Sequence, residues 1–212
     1  MPARGEASGG SRYPVPAARH RVEDSVRRSR FITTVARAAD SRDAHAFIAS
    51  IRDEFGDATH NCWAFVAGPP GSSAEVGMSD DGEPHGTAGR PMLEALLHSG
   101  VGEIAAVVTR YYGGAKLGKG GLQRAYSGGV QRALESLPLT ERVRRVSVAV
   151  AVEYPARDAV FRAAAEIDAV IESEEYGADV RLRVAVPEGA LADFRHLVAE
   201  VTSGRGRVEP AD

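Results

Sequence analysis

The sequence predicts an α+β protein built from two domains, and three observations support this. A chain of 212 residues suits two small domains. A hydrophobic share of 43% is enough to form two cores. The periodicity changes near residue 140, after which the segments follow the order of a ferredoxin-like βαββαβ unit. We therefore expect a disordered tail at residues 1–12, a first domain at 13–139 and a second domain at 140–212.

Strands and helices mix in the first domain. Alternating apolar residues predict strands, while Ala44, Phe47, Ile48 and Ile51 recur at helical spacing after a cap at Asp40 or Ser41. The expected order is strand 19–27, strand 30–38, helix 41–55, strand 60–68, strand 74–78, a helix from Pro91 to about 98–100, strand 103–112 and helix 122–137.

The second domain has a simpler pattern. Alternation is strong in RRVSVAVAVEY and in ADVRLRVAV, which predicts two strands. The expected order is strand 144–154, helix 157–167, strands 169–176 and 178–186, helix 189–201 and a last short strand at 204–208.

Composition excludes several classes of protein. No apolar run approaches the roughly 20 residues of a membrane helix, and the first 20 residues lack the apolar core of a secretory signal. One cysteine, Cys62, cannot form a disulfide within the chain or a four-cysteine zinc site, which favours a reducing, cytoplasmic location. Residues 1–140 carry a net charge of +1 and residues 141–212 carry −4, so the first domain is the better candidate for phosphate contact.

One informative segment is the acidic loop, residues 79–91, with the sequence SDDGEPHGTAGRP. Three carboxylates lie between glycines and prolines, an unusual composition for a mere connector. These carboxylates could join His60, Cys62 or His85 in a metal site, act as acid or base, or simply cap a helix. The candidate residues are Ser79, Asp80, Asp81, Glu83, Thr87 and Arg90.

The other informative segment is the glycine-rich loop, residues 113–121, with the sequence GGAKLGKGG. No acidic residue occurs between Ile104 and Leu134, where five basic residues do, and both lysines of the chain lie in this loop beside 24 arginines elsewhere. Glycines let backbone N–H groups approach an anion, and lysines neutralise it. Tyr111, Tyr112 and Tyr126 could stack on bases. The candidate phosphate contacts are Arg110, Gly113, Gly114, Lys116, Gly118, Lys119, Gly120, Gly121 and Arg124.

The sequence of the glycine-rich loop allows two other interpretations. It contains G-x-x-x-x-G-K, but Gly120 stands where a P-loop needs Ser or Thr for Mg²⁺, so an NTPase is not expected. The acidic and glycine-rich loops could also pair with each other and serve only the fold.

Both loops, within SDDGEPHGTAGRP and VVTRYYGGAKLGKGGLQRAY, resemble the YigZ/IMPACT family. Shorter matches at Ser29-Arg30-Phe31 and at HNCWA (60–64) follow the same order. The resemblance covers about residues 19–137. The βαββαβ segment is similar in topology to the extra C-terminal domain of bacterial members.

The resemblance implies a first domain similar to ribosomal-protein and elongation-factor-G domain IV modules, and a ferredoxin-like second domain similar to those of elongation factor G. Such relatives contact ribosomal RNA. Eukaryotic IMPACT proteins regulate translation through a partner that their additional N-terminal domain binds, so that partner does not transfer. The family implies no catalytic residue, metal or cofactor.

The sequence therefore predicts a non-catalytic protein that binds RNA or the ribosome, with regulation of translation as a candidate role and no membrane partner. One alternative is an enzyme or binder of a small phosphorylated or nucleotide ligand at the two loops. Another is a protein-interaction regulator that uses the two loops as one docking face.

Overall fold

The computed structural model describes residues 12–211 of the chain. Residues 13–141 form one compact unit, the first unit, and residues 142–211 belong to another, the second unit. Both mix helices with antiparallel sheets, so the predicted α+β class is confirmed. No helix in the described range is long and apolar enough to cross a membrane.

The first unit is organised around a five-stranded sheet. Its strand order is β2-β3-β6-β4-β5, and each neighbouring pair is antiparallel. The most buried strand, β6, lies in the centre, between β3 and β4. The strands are β2 (His20–Val26), β3 (Ser29–Arg37), β4 (His60–Val66), β5 (Val76–Ser79) and β6 (Ile104–Tyr111).

Helices cover both faces of this sheet. The helices are α1 (Ser41–Glu54), α2 (Gly89–Leu97) and α3 (Lys119–Glu135). Successive side chains of a strand point to opposite faces. Accordingly Cys62 and Ala64 of β4 pack in the core shared with α2 and α3, while Phe65 packs in the core shared with α1. Tyr126 of α3 is fully buried and meets Phe31 edge to face, with ring centroids 5.5 Å apart.

A separate two-stranded sheet pairs β1 (Arg12–Pro16) with β7 (Leu139–Val143). The sequence predicted a tail up to residue 12, but Arg12 already belongs to β1; residues 1–11 lie outside the described part of the chain. The hydroxyl of Tyr13 donates to Glu103 Oε1 at 2.8 Å, which holds β1 near the start of β6, the central strand of the five-stranded sheet.

The second unit has the predicted order of elements, strand–helix–strand–strand–helix–strand. Its sheet order is β11-β8-β10-β9, and its core contains Val150, Leu182 and Phe194. The elements are β8 (Arg145–Val152), α4 (Arg157–Glu166), β9 (Val170–Tyr176), β10 (Val180–Pro187), α5 (Leu191–Val201) and β11 (Arg207–Pro210), with short 3-10 turns before α4 and α5.

Helix α3 begins three residues earlier than predicted, at Lys119 rather than Leu122. Glycine lowers helix propensity, which is why the sequence placed Gly120 and Gly121 in a loop. Packing of the apolar face of α3 overrides that preference, and the first helical turn contains Lys119 and both glycines. Gly118 precedes the helix at φ +74°, a conformation suited to glycine.

Candidate functional site

A buried ion pair joins the acidic loop to the end of strand β6. Glu83 comes from the acidic loop, and Arg110 comes from the end of β6, just before the glycine-rich loop. Arg110 Nη1 donates to Glu83 Oε1, and only 6% and 3% of the two side chains are exposed. A charge pair excluded from water is held by mutual neutralisation, because either partner alone would be an uncompensated buried charge. The acidic loop is therefore held against the strand that leads into the glycine-rich loop.

Two further side chains complete this buried cluster. The hydroxyl of Tyr126 donates to Glu83 Oε1 at 2.8 Å. The thiol of Cys62 lies 2.9 Å from the carbonyl oxygen of Asp80 and 3.4 Å from the Tyr126 hydroxyl. Burial raises the pKa of the Cys62 thiol to about 12, and burial with the nearby Cys62 and Glu83 also raises the pKa of Tyr126. A thiol held protonated is a poor nucleophile, which argues against a catalytic Cys62.

Three neighbouring side chains hold Arg110 besides Glu83. Its guanidinium carbon lies 5.4 Å from the ring centroids of both Phe31 and Tyr112, and its Nη2 donates to Ser29 Oγ at 3.2 Å. A side chain in this position cannot reach an external phosphate without abandoning Glu83. This buried position contradicts the predicted role of Arg110 as a phosphate contact.

Asp80 caps helix α2. Its Oδ1 accepts from the backbone N–H groups of Ala88 (3.0 Å) and Gly89 (2.9 Å), and its Oδ2 accepts from Gly86 N–H at 2.8 Å. Partial burial works to raise the pKa of Asp80, but the three backbone donors outweigh it and lower the pKa below its ordinary value. The carboxylate thus stabilises the fold of the loop in its charged form.

Replacement of Asp80 by asparagine is expected to lower the free energy of unfolding by about 1–2 kcal/mol at pH 7. A depressed folded-state pKa contributes stability that is present above the unfolded pKa of about 3.9 and is lost as the pH falls through the folded value. Urea unfolding of both proteins at pH 7, 4 and 2.5 should show the difference shrinking below pH 4. Asp53→Asn, at an exposed helical position, is the control; a difference that is constant with pH would contradict this assignment.

Asp81 joins the acidic loop to β4 and α1. Its Oδ2 accepts from the backbone N–H of Asn61 at 2.6 Å, and its Oδ1 accepts from Arg52 Nη2 at 2.7 Å. Its carbonyl oxygen lies 2.8 Å from His60 Nδ1, so this nitrogen carries a proton and donates. Asp81 adopts φ +42°, a left-handed conformation that these contacts maintain.

The remaining acidic-loop candidates also bond within the fold. Ser79 Oγ accepts from Asp81 N–H at 3.2 Å, Thr87 Oγ1 donates to the Pro84 carbonyl at 2.6 Å, and Arg90 pairs with Glu94 at 3.0 Å. Within residues 12–211, no group of three or more His, Cys, Asp or Glu side chains is arranged to hold a metal ion. The carboxylates of the acidic loop thus accept hydrogen bonds from within the fold and stabilise its structure.

The glycine-rich loop is different, because its cations face solvent. Lys116, Lys119 and Arg124 are exposed and form no ion pair with any residue from 12 to 211. The sequence interpretation missed Arg27 and Arg28, which form the turn between β2 and β3 at φ +45° and +70° and are likewise exposed and unpaired within the described chain. We call these five residues the basic surface. Two consecutive arginines between alternating strands were the signal that could have found the missing pair.

Close contact brings the β2–β3 turn and the glycine-rich loop together. Arg27 Nη1 lies 3.5 Å from the carbonyl oxygen of Lys116. A Cβ built on Gly113 would lie 1.9 Å from the carbonyl oxygen of Arg28, so only glycine fits there. Gly114 and Gly118 adopt φ +85° and +74°. The glycines of this loop therefore allow close packing against the β2–β3 turn and supply the left-handed turns. Gly120 and Gly121 belong to the first turn of α3, whose N-cap residue, Gly118, has no side chain that could cap it.

Comparison with known proteins places this geometry in a family. The Impact N-terminal domain model matches residues 27–134, which include the buried cluster and the basic surface, and a domain of unknown function (DUF1949) matches residues 150–205. The chain is 44% identical to the IMPACT family member YigZ of Escherichia coli over 90% of its length and 93% of that protein. The chain belongs to the IMPACT family.

Other IMPACT family members are also similar over most of the chain. A member from Haemophilus influenzae is 42% identical over 91% of this chain and 94% of its own length. The member YvyE of Bacillus subtilis is 33% identical over 88% and 85%. A crystal structure described as that of a hypothetical protein is 42% identical, with a TM-score of 0.69 and coverage of 95% and 98% of the two chains. The family assignment made from the two loop motifs is thereby confirmed.

Proposed function

We propose that this protein binds RNA, alone or within the ribosome, through the basic surface, and that it acts as a binding protein rather than a catalyst. The observation that carries the proposal is the set of five exposed cations without ion-pair partners among residues 12–211: Arg27, Arg28, Lys116, Lys119 and Arg124. Cations kept free of internal partners remain available to an external polyanion.

The backbone adds to this potential. The N-cap residue of α3 is Gly118, which has no side chain to cap the helix, and the helix dipole makes its N-terminus positive. Lys119 lies in that turn, and Lys116 precedes it. RNA is favoured over other polyanions by the resemblance of the sequence to translation-factor modules.

The buried cluster weakens both alternatives. An enzyme that used the acidic loop for metal binding or acid–base chemistry would need a free carboxylate, yet Asp80, Asp81 and Glu83 are each held by backbone or side-chain donors. A docking face made from both loops would need exposed acidic groups opposite the lysines, and Glu83 is 8% exposed. The glycine-rich loop contributes free charge and the acidic loop does not.

Lys116→Ala/Lys119→Ala is expected to weaken RNA binding and to reduce its salt dependence. For single strands, the slope of log K against log salt is about 0.7 per phosphate contact, so loss of two contacts should lower its magnitude by about 1.4. Binding of a labelled single-stranded RNA should be measured by fluorescence anisotropy from low to physiological salt, together with co-sedimentation with ribosomes.

A charge-matched control is available in the second unit. Arg162 and Arg195 are exposed on α4 and α5, and Arg162→Ala/Arg195→Ala removes the same charge. This control should retain the wild-type slope. Binding that does not change with salt, or that responds equally to both double substitutions, would reject the proposed site.

A further inference from the structure

A cavity opens beside the basic surface, between the β2–β3 hairpin, Leu117 and α3. Its volume is about 200 Å³, the space of about six water molecules, and it belongs entirely to the first unit. A phosphate group has five heavy atoms, so the cavity can hold one with room for part of an attached sugar. The lining residues are Asp24, Val26, Arg27, Leu117, Gly121, Arg124, Ala125 and Arg132.

The wall of this cavity carries excess positive charge. Three arginines line it against one carboxylate, and that carboxylate is already taken: Arg132 Nη2 donates to Asp24 Oδ2 at 2.6 Å. Arg27 and Arg124 have no ion-pair partner within the described residues. Two guanidinium groups therefore remain for a ligand, and guanidinium is the side-chain group best suited to binding phosphate oxygens bidentately.

Glycines one turn earlier make room for two of these arginines on α3. A Cβ on Gly120 would lie 3.6 Å from Arg124 Nη1, and a Cβ on Gly128 would lie 3.3 Å from Arg132 Nη1. Both side chains thus fold back along the helix over the preceding turn, at i and i+4 spacing. This arrangement holds Arg132 against Asp24 and keeps Arg124 at the cavity wall.

The number of unpaired guanidinium groups indicates whether the cavity suits a phosphate monoester or a diester. A phosphate monoester carries about −1.5 to −2 at pH 7, whereas each phosphate within an RNA chain is a diester that carries −1. Two unpaired guanidinium groups match the monoester. The other walls, Val26, Leu117 and Ala125, are apolar and offer no partner for a second charged group.

We propose that this cavity binds the phosphate monoester of a nucleotide, and that in the RNA complex it holds the 5′-terminal phosphate of the strand. The RNA part of this inference rests on the proposed function, in which the neighbouring lysines contact internal phosphates. The cavity adds a preference for one end of the chain and for its phosphorylation state.

The test compares two RNA oligonucleotides of one sequence, labelled at the 3′ end and bearing either a 5′-phosphate or a 5′-hydroxyl. Wild type is expected to bind the 5′-phosphate form about tenfold more tightly, as charge-assisted hydrogen bonds predict. Arg27→Gln/Arg124→Gln should reduce this ratio to about one. Lys116→Ala/Lys119→Ala should weaken both forms and preserve the ratio, and Arg162→Gln/Arg195→Gln should change neither. Thermal unfolding of each variant checks that it is folded.

The outcomes separate this inference from the proposed function. If wild type binds both RNAs within twofold of each other, or if Arg27→Gln/Arg124→Gln keeps the preference, the 5′-phosphate site is rejected while RNA binding stands. AMP and adenosine supply the second arm, read by thermal shift. If RNA does not bind but AMP stabilises the wild type, adenosine does not, and Arg27→Gln/Arg124→Gln loses the effect, the monoester site holds and the RNA proposal fails.

Discussion

Replacing Glu83 by alanine is expected to lower the free energy of unfolding by about 3–5 kcal/mol. The substitution leaves the guanidinium of Arg110 buried without its counter-charge and removes the acceptor of the Tyr126 hydroxyl. Both groups are nearly inaccessible to solvent, so water cannot replace the carboxylate. Urea denaturation followed by circular dichroism measures the change, and the midpoint should fall with little change in slope.

The matched control is an exposed ion pair of the same kind. Glu23 bonds Arg30 at 2.6 Å, but about half of each side chain is exposed to solvent, so Glu23→Ala should destabilise the protein far less than Glu83→Ala. The double substitution Glu83→Leu/Arg110→Met removes both buried charges and should recover much of the stability lost in Glu83→Ala. Equal effects of Glu83→Ala and Glu23→Ala would show that the buried pair does not hold the acidic loop against β6.

Gly113→Ala is expected to cost about 3 kcal/mol or more, because the added methyl group would lie 1.9 Å from the carbonyl oxygen of Arg28 and 2.6 Å from the backbone nitrogen of Ser29. Backbone atoms cannot rotate away as a flexible side chain can. The β2–β3 turn must therefore separate from the glycine-rich loop. The same substitution should weaken RNA binding, since it displaces Arg27 and Arg28 from Lys116.

Gly120→Ala provides the comparison for Gly113→Ala. Its nearest atom to a new Cβ is Arg124 Nη1 at 3.6 Å, and the residue lies within α3. Alanine favours a helix over glycine by about 0.5–1 kcal/mol, so this variant should be as stable as wild type or slightly more stable. Thermal unfolding of both variants measures this difference in stability. A Gly113→Ala protein with wild-type stability would show that the two segments are not in contact.

Local periodicity was enough to predict most elements of the sheet and helices. The strands β3 and β6 and the helix α1 alternate or repeat clearly, and their cores follow from that pattern. Strands β1 and β7 were not predicted. RYPVP contains two prolines and LTERV is mostly exposed, and each becomes a strand only because the other lies beside it. Pairing across more than a hundred residues leaves no local signal.

The site was predicted in part for a similar reason. The sequence identified both loops and the exposed lysines. It also assigned Arg110 to phosphate contact, because the segment from Ile104 to Leu134 holds five basic residues and no acid. The two-residue period of β6 places Arg110 on the same face as Ala106 and Val108, toward α2 and α3, and Glu83 neutralises it there. Which acid meets which base depends on tertiary packing, which single-sequence patterns do not specify.

The β1–β7 sheet has a consequence for the order in which the chain is completed. Synthesis adds about 5–20 residues per second, so roughly 6 to 25 seconds separate the making of β1 from that of β7. Before β7 is made, β1 can form contacts near Glu103, such as the hydrogen bond of Tyr13, but not its pairing with β7. The five-stranded sheet and its three helices can assemble before the last strand of the pair leaves the ribosome. Strand β7 then completes the two-stranded sheet, and the chain continues from it into the second unit.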